Sequence, residues 1–269
     1  AVVVPAAVRT TDRVRDIVPE FAGKGRYGIT VHHLLTHTSG LPDMVPNNRE
    51  MRIAHEPFSR FVEEVCRVEP AFPPGRGVAY QSMGFALLGE IISRVSGRDC
   101  ARFAREEIFL PLGMTSSEIG APDEWFAAPG SIASRIAEIR PDSPVVGHED
   151  WGWNSRYWLS FGAPWGGLLT SPGDLANVAQ MMLGRGRLGA AQILAPATVD
   201  LATRNQLEGM PHVPEEDRRC RPWGLGWRLR WPAYSPNFGN LLGPRMYGHW
   251  GSTGTVLWID PDLDAFAAA

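Results

Sequence analysis

The side chains best suited to chemistry sit at Tyr80-Gln81-Ser82, a phenol and a hydroxyl directly ahead of an apolar helical run. Held between a rigid turn and a buried helix, two such groups keep a fixed geometry at a domain edge, as acid–base and nucleophilic chemistry require. The same pair also fits a purely structural reading, a buried tyrosine with a satisfied O–H and a serine N-cap. A second cluster is His32, His33 and His37. His33 and His37 are four apart and can share a helix face. A zinc hydrolase built on them needs a glutamate beside the first histidine and a third ligand. Leu34 follows His33, and residues 29–41 contain no acidic side chain. Histidines capping a turn are the better reading, and no metal is expected.

The elements that must position these groups can be read from pattern. Phe72-Pro73-Pro74-Gly75 is a rigid turn, because proline fixes φ and glycine permits positive φ. Apolar residues at Phe85, Leu88, Ile91, Ile92 and Val95 predict a helix over 83–95, stopped by Ser96-Gly97. Thr30 is a fair N-cap for a helix carrying Val31, Leu34 and Leu35, with Ser39-Gly40 as its stop. Further helices are expected over 58–65 and 100–110, from Ser171 or Asp174 to Leu183, and over 196–201. Residues 122–157 are loop-rich and aromatic, either a pocket lining or an insertion packed on the core. Trp223–Leu229 alternates as a strand, the stretch Tyr247–Thr255 follows, and Val256–Pro261 reads as a further strand. Helices fill the middle and strands cluster late without alternating with them. This predicts an α/β protein of the α+β type, an antiparallel sheet flanked by helices with an all-α region inserted. Residues 44–160 would form the helical, loop-rich lobe, with 1–43 and 161–269 contributing to the sheet lobe of one 269-residue unit.

Composition bounds the function. The 269 residues are 44% hydrophobic and 20% charged with a net charge of −3. No basic patch stands out, which argues against nucleic acid as a partner, and no run of about 18 apolar residues suggests a spanning helix. Cys66, Cys100 and Cys220 are an odd number without metal spacing and read as free thiols. Lys24 is the only lysine, which removes lysine chemistry from most of the chain. G-x-S-x-G is absent, so no hydrolase elbow of that type is available.

Several stretches together resemble the class C β-lactamase-like serine hydrolases, which include D-alanyl-D-alanine carboxypeptidases, penicillin-binding-protein-like enzymes and esterases. They are His33-Leu34-Leu35-Thr36-His37-Thr38-Ser39-Gly40-Leu41, Phe72-Pro73-Pro74-Gly75 with Tyr80 and Leu87-Leu88-Gly89, Pro111-Leu112-Gly113-Met114, Gly166-Gly167-Leu168 with Asp174-Leu175, and His249-Trp250-Gly251-Ser252-Thr253-Gly254. They occur in the family's order across nearly the whole chain. The resemblance implies a serine in S-x-x-K attacking a carbonyl, a lysine assisting, and a tyrosine relaying the proton, with no cofactor. Tyr80 matches the tyrosine of Y-x-N. His249-Trp250-Gly251 matches the third motif in its H-x-G form, on a strand that binds substrate, and Ser252 would give a backbone N–H to the oxyanion. Ser82, His249, Gly251 and Ser252 are thus the implied substrate-binding residues.

Two departures matter. Ser82 replaces the asparagine of Y-x-N, losing an amide donor and acceptor, and His249 replaces the lysine that would hold a β-lactam carboxylate. Both favour an esterase or peptidase-like activity on a small ester or amide over a β-lactamase. The second departure is that no serine has a lysine three residues later. Both ends read as cut, with S-x-x-K upstream of Ala1 and the last strand and helix beyond Ala269. Family members are often exported, and any signal would lie upstream as well. The competing reading is a non-catalytic binding module that kept the pocket; a zinc hydrolase ranks third. If the nucleophile lies upstream, a serine-reactive fluorophosphonate labels the longer gene product and leaves the 269-residue chain unlabelled. Labelling of this chain itself would contradict that expectation.

Overall fold

A computed structural model describes residues 8–128, 130–140, 148–230 and 241–269. Part of the aromatic 122–157 stretch therefore lies outside the described residues. The predicted α+β architecture is present. Four strands, Arg228–Leu229, Tyr247–Trp250, Val256–Asp260 and Ala265–Ala268, form one antiparallel sheet in chain order. Its register places Leu229, Tyr247, Ile259 and Phe266 opposite one another. Side chains in such a cross-strand row share one face, and these four pack with Ala179, Met181 and Met182 of the Pro172–Leu183 helix into one core. A second core joins Val14, Phe21, Ile29 and Leu34 to Phe61 and to Met83, Leu87 and Ile91.

The helix behind Tyr80 spans Ser82–Ser96 and closes on Gly97 at φ 69°, as the apolar period and the glycine require. Gly89 lets Pro164 approach; a Cβ there would lie 2.4 Å from the proline Cγ. Ser82 is the first helical residue and not the N-cap, a position taken by Gln81.

Two expectations change. The helix begun by Thr30 covers only Val31–Leu35, with a capping box between Thr30 and His33. It ends ahead of Ser39-Gly40 because Thr36 caps it and His37 takes the left-handed region at φ 58°. Trp223–Leu229 is not one strand. Gly226, at φ 78°, turns the chain so that Trp223 bridges back to Arg228, and only Arg228–Leu229 joins the sheet. Alternation alone conceals such a turn, whose glycine supplies positive φ within an apolar run.

His37 and Gln81 fasten these parts together. Ala79 N–H donates to the His37 carbonyl at 3.0 Å, and Gln81 N–H donates to His37 Nδ1 at 3.1 Å. The wholly buried Gln81 amide donates to the carbonyls of His33 and Leu34 and accepts from the Ser39 hydroxyl. The proline turn is strung alongside, with Gly75 N–H on the Thr38 carbonyl and Ala71 N–H on the Gly40 carbonyl. Gly40 sits at φ 82°, where a Cβ would lie 2.3 Å from the Phe72 carbonyl oxygen. From the other side, Gly226 N–H donates to the Leu35 carbonyl at 2.9 Å. Most buried polar groups of this junction are thereby partnered, as burial demands; the exception is His37 Nε2, which is buried without a hydrogen-bond partner.

Because His37 Nδ1 accepts a backbone N–H, the ring is neutral. Burial, and then the neighbouring His249 and Arg228, push its pKa down to about 3. In the unfolded chain a histidine titrates near 6.5, so between these values the unfolded state binds more protons and stability falls as pH falls. Over pH 7 to 5 the His37 share is roughly 2 kcal/mol. Asparagine tolerates the left-handed region and carries no charge. The prediction for His37→Asn is a smaller loss of urea stability between pH 7 and 5 than the wild type shows. An unchanged loss would contradict a buried neutral imidazole at this position.

Candidate active site

Three segments converge on one cluster of aromatic rings and charge. The bend at 36–43 supplies His37, the turn into the long helix supplies Tyr80 and Ser82, and the sheet edge supplies Trp223, Arg228 and His249. Tyr80 stacks on His37 with ring centroids 4.7 Å apart and lies 5.8 Å from the His249 ring. Trp223 backs the group, 4.2 Å from His37 and 6.0 Å from His249. Tyr80 is 41% exposed, so it is not the buried tyrosine of the structural reading; part of its ring reaches the protein surface.

Arg228 runs between the rings of Trp250, Trp223 and Tyr80, its guanidinium carbon 3.7, 4.8 and 5.1 Å from their centroids. Cation–π contact compensates part of the desolvation of this buried charge. Its electrostatic effect reaches both the Tyr80 and the His249 ring. The Tyr80 pKa stays above the usual phenol value: burial raises it most, Arg228 offsets part of that rise, Asp43 adds to it, and Ser82 works the other way. His249 is pushed down to about 4 by burial and then by Arg228. Arg228 itself is brought down to about 10 by burial, offset by Tyr80.

His249 is the penultimate residue of the Tyr247–Trp250 strand, whose hairpin continues through Gly251. Its Nδ1 lies 2.7 Å from the Trp250 carbonyl oxygen. A carbonyl only accepts, so Nδ1 carries the proton and Nε2 presents a lone pair. His249 at neutral pH is therefore an acceptor and not the cation that lysine would be. Gly251 N–H closes the turn on the Thr255 carbonyl at 2.9 Å. A Cβ at Gly251 would meet Thr255 Oγ1 at 2.4 Å. Ser252 stands exposed in that turn, and its N–H makes no hydrogen bond with the described residues.

The serines near Tyr80 are already engaged. Ser82 is buried and donates its hydroxyl to Asp43 Oδ1 at 2.5 Å. Ser39 is buried, donates to Gln81 and accepts from Leu41 N–H at 3.0 Å. The three suspected metal ligands point to three different partners: His32 to Gln206, His33 to Thr30 and His37 to Gln81. Among the described residues no group of three or more His, Cys, Asp or Glu side chains is placed to hold a metal ion. No helix among them is long and apolar enough to cross a membrane. Sequence reading missed Arg228, Trp223 and Asp43 as parts of this site. A lone arginine inside the apolar Trp-Gly-Leu-Gly-Trp-Arg-Leu run was the signal for Arg228.

The family profile described as Beta-lactamase matches residues 6–269. A protein of Escherichia coli (strain K12) named as a candidate D-alanyl-D-alanine carboxypeptidase is 30% identical over 271 residues, which are 93% of this chain and 59% of that protein. One of the same description from Salmonella enteritidis PT4 (strain P125109) is 27% identical over 94% of this chain and 61% of its own length. The chain thus spans about three fifths of these relatives. Among solved structures, a penicillin-binding protein homolog from Caulobacter crescentus superposes with TM-score 0.75 at 24% identity, covering 98% of this chain and 70% of that one. A family VIII carboxylesterase gives TM-score 0.73 at 21% identity over the same shares; both likenesses concern the fold. The ordered motifs, the sheet and the profile match across nearly the whole chain place it in the β-lactamase family.

Proposed function

We propose that this chain forms the acid–base and substrate-binding side of a serine hydrolase that opens a small ester or amide through an acyl-enzyme. Its nucleophilic serine and lysine would lie in an S-x-x-K outside these 269 residues. The observation that carries the reading is the convergence of the Tyr80 and His249 rings, 5.8 Å apart, with the Arg228 charge beside them. Tyr80 would relay the proton of the attacking hydroxyl, and Arg228 favours the phenolate through which that relay passes. His249 would accept a hydrogen bond from the substrate through Nε2. Ser252 N–H would donate to the oxyanion where charge develops, and Gly251 would complete the binding side, whereas Ser82 is buried with its hydroxyl committed to Asp43. A neutral imidazole offers a substrate carboxylate no charge, which favours uncharged ester or amide groups at that position over a β-lactam.

In the intact polypeptide that carries this chain, Tyr80→Phe is expected to lower kcat for a p-nitrophenyl ester by about 100-fold or more, with a smaller change in KM. Full turnover by the variant would refute the assigned proton relay. An intact wild-type polypeptide that binds esters and amides but turns none over would instead identify a binding module.

A further inference from the structure

On the reading of Tyr80 as the proton relay, on which this rests, we infer that His37 is its positioning residue: the imidazole lies against the phenol ring while Nδ1 holds the peptide that follows. Two features at His37 are ones that a residue serving only the core would avoid. Its backbone takes the left-handed region at φ 58°, which is uncommon for a side chain of this size. Its ring, 1% exposed, buries an Nε2–H that finds no hydrogen-bond acceptor among the described residues. Such a donor is unfavourable to leave unpaired. Unfavourable geometry of this kind persists where the surrounding structure over-determines it, and it gathers at functional sites.

What it secures here is a grip on three consecutive residues. The His37 carbonyl accepts the Ala79 N–H at 3.0 Å, and Nδ1 accepts the Gln81 N–H at 3.1 Å. Between those two bonds the Tyr80 ring stacks on the imidazole, with centroids 4.7 Å apart and planes inclined by 30°. Tyr80 is partly exposed, so burial alone does not fix its ring. The other rings beside it are further off, His249 at 5.8 Å and Trp223 at 6.2 Å. The imidazole is the surface on which the phenol rests.

Neutral imidazole is suited to supply both links at once. A hydrocarbon ring would stack but leave the buried Gln81 N–H unpaired, and asparagine would accept that N–H but has no ring. The imidazole is itself held in place. Trp223 meets it edge-on at 4.2 Å, and Phe85 of the Ser82–Ser96 helix lies 5.5 Å away. The residues on either side are buried and bonded. The Thr36 hydroxyl donates to the His32 carbonyl at 2.8 Å, the Thr38 hydroxyl lies 2.9 Å from that of Thr36, and Gly75 N–H donates to the Thr38 carbonyl at 2.8 Å. A residue clamped on both sides can impose its orientation on a more exposed neighbour.

The test uses the intact polypeptide with 13C-labelled tyrosine, the Tyr80 ring signals being assigned by their loss in Tyr80→Phe. In the wild type these signals are expected to show nuclear Overhauser contacts to the His37 ring; their absence would overturn the inference without recourse to a variant. His37→Asn keeps an acceptor for the Gln81 N–H, tolerates the left-handed backbone and removes the ring. In the folded variant the Tyr80 ring signals are expected to shift. Its kcat for a p-nitrophenyl ester is expected to fall by about 10-fold or more with KM little changed, because a misplaced relay acts on the transition state. A purely structural role would lower stability without that split. Wild-type Tyr80 signals, or wild-type kcat, in folded His37→Asn would overturn the inference. If the intact wild type turns over no ester, the hydrolase reading fails on its own test, while the ring signals still decide whether His37 sets the phenol.

Discussion

The bond from Gln81 N–H to His37 Nδ1 is the constraint on which the rest depends. It requires an imidazole without a proton on Nδ1, at a backbone position with φ 58°. It also fixes the peptide that follows Tyr80. With the Gln81 amide spent on Ser39 and on the carbonyls of His33 and Leu34, the segment has no freedom to slide. Losing one partner would leave a buried polar group unsatisfied, at about 1–3 kcal/mol. A phenol set between a buried knot and a helix start is preorganised, which is what proton relay in a cleft demands.

The electrostatics follow from a chain with a single lysine. Where a lysine could have offered a mobile charge, the cluster has Arg228, a guanidinium fixed among three aromatic rings. Arginine keeps its proton even when desolvated, so the site retains a permanent positive charge. That charge acts on two neighbours with opposite consequences. It stabilises the deprotonated form of Tyr80 and disfavours the protonated form of His249. One residue thereby biases a phenol toward giving up its proton and an imidazole toward remaining an acceptor.

Much of this was legible in the residues. The period of Phe85, Leu88, Ile91, Ile92 and Val95 with Gly97 defined the helix behind Tyr80, because local spacing and a left-handed cap decide such an element. The late strand read over 256–261 was legible from its apolar run before Pro261 and ends at Asp260 in the structure. The early end of the Thr30-capped helix was not, since it depends on His37 giving its ring to a peptide 44 positions away. The turn at Gly226 was hidden by the alternation around it. Of the site, the ordered motifs indicated Tyr80 and His249. Arg228, Trp223 and the Asp43–Ser82 pair arise from long-range packing that no local pattern encodes.

The central claim is that Tyr80 and His249 face the point where an acyl-enzyme forms. The most direct measurement is a crystal structure of the intact polypeptide after reaction with a fluorophosphonate. The account predicts a phosphonylated serine whose Oγ lies within hydrogen-bonding reach of the Tyr80 phenol, with a phosphonyl oxygen toward Ser252 N–H. A phosphonate held on a serine remote from both Tyr80 and His249 would contradict it.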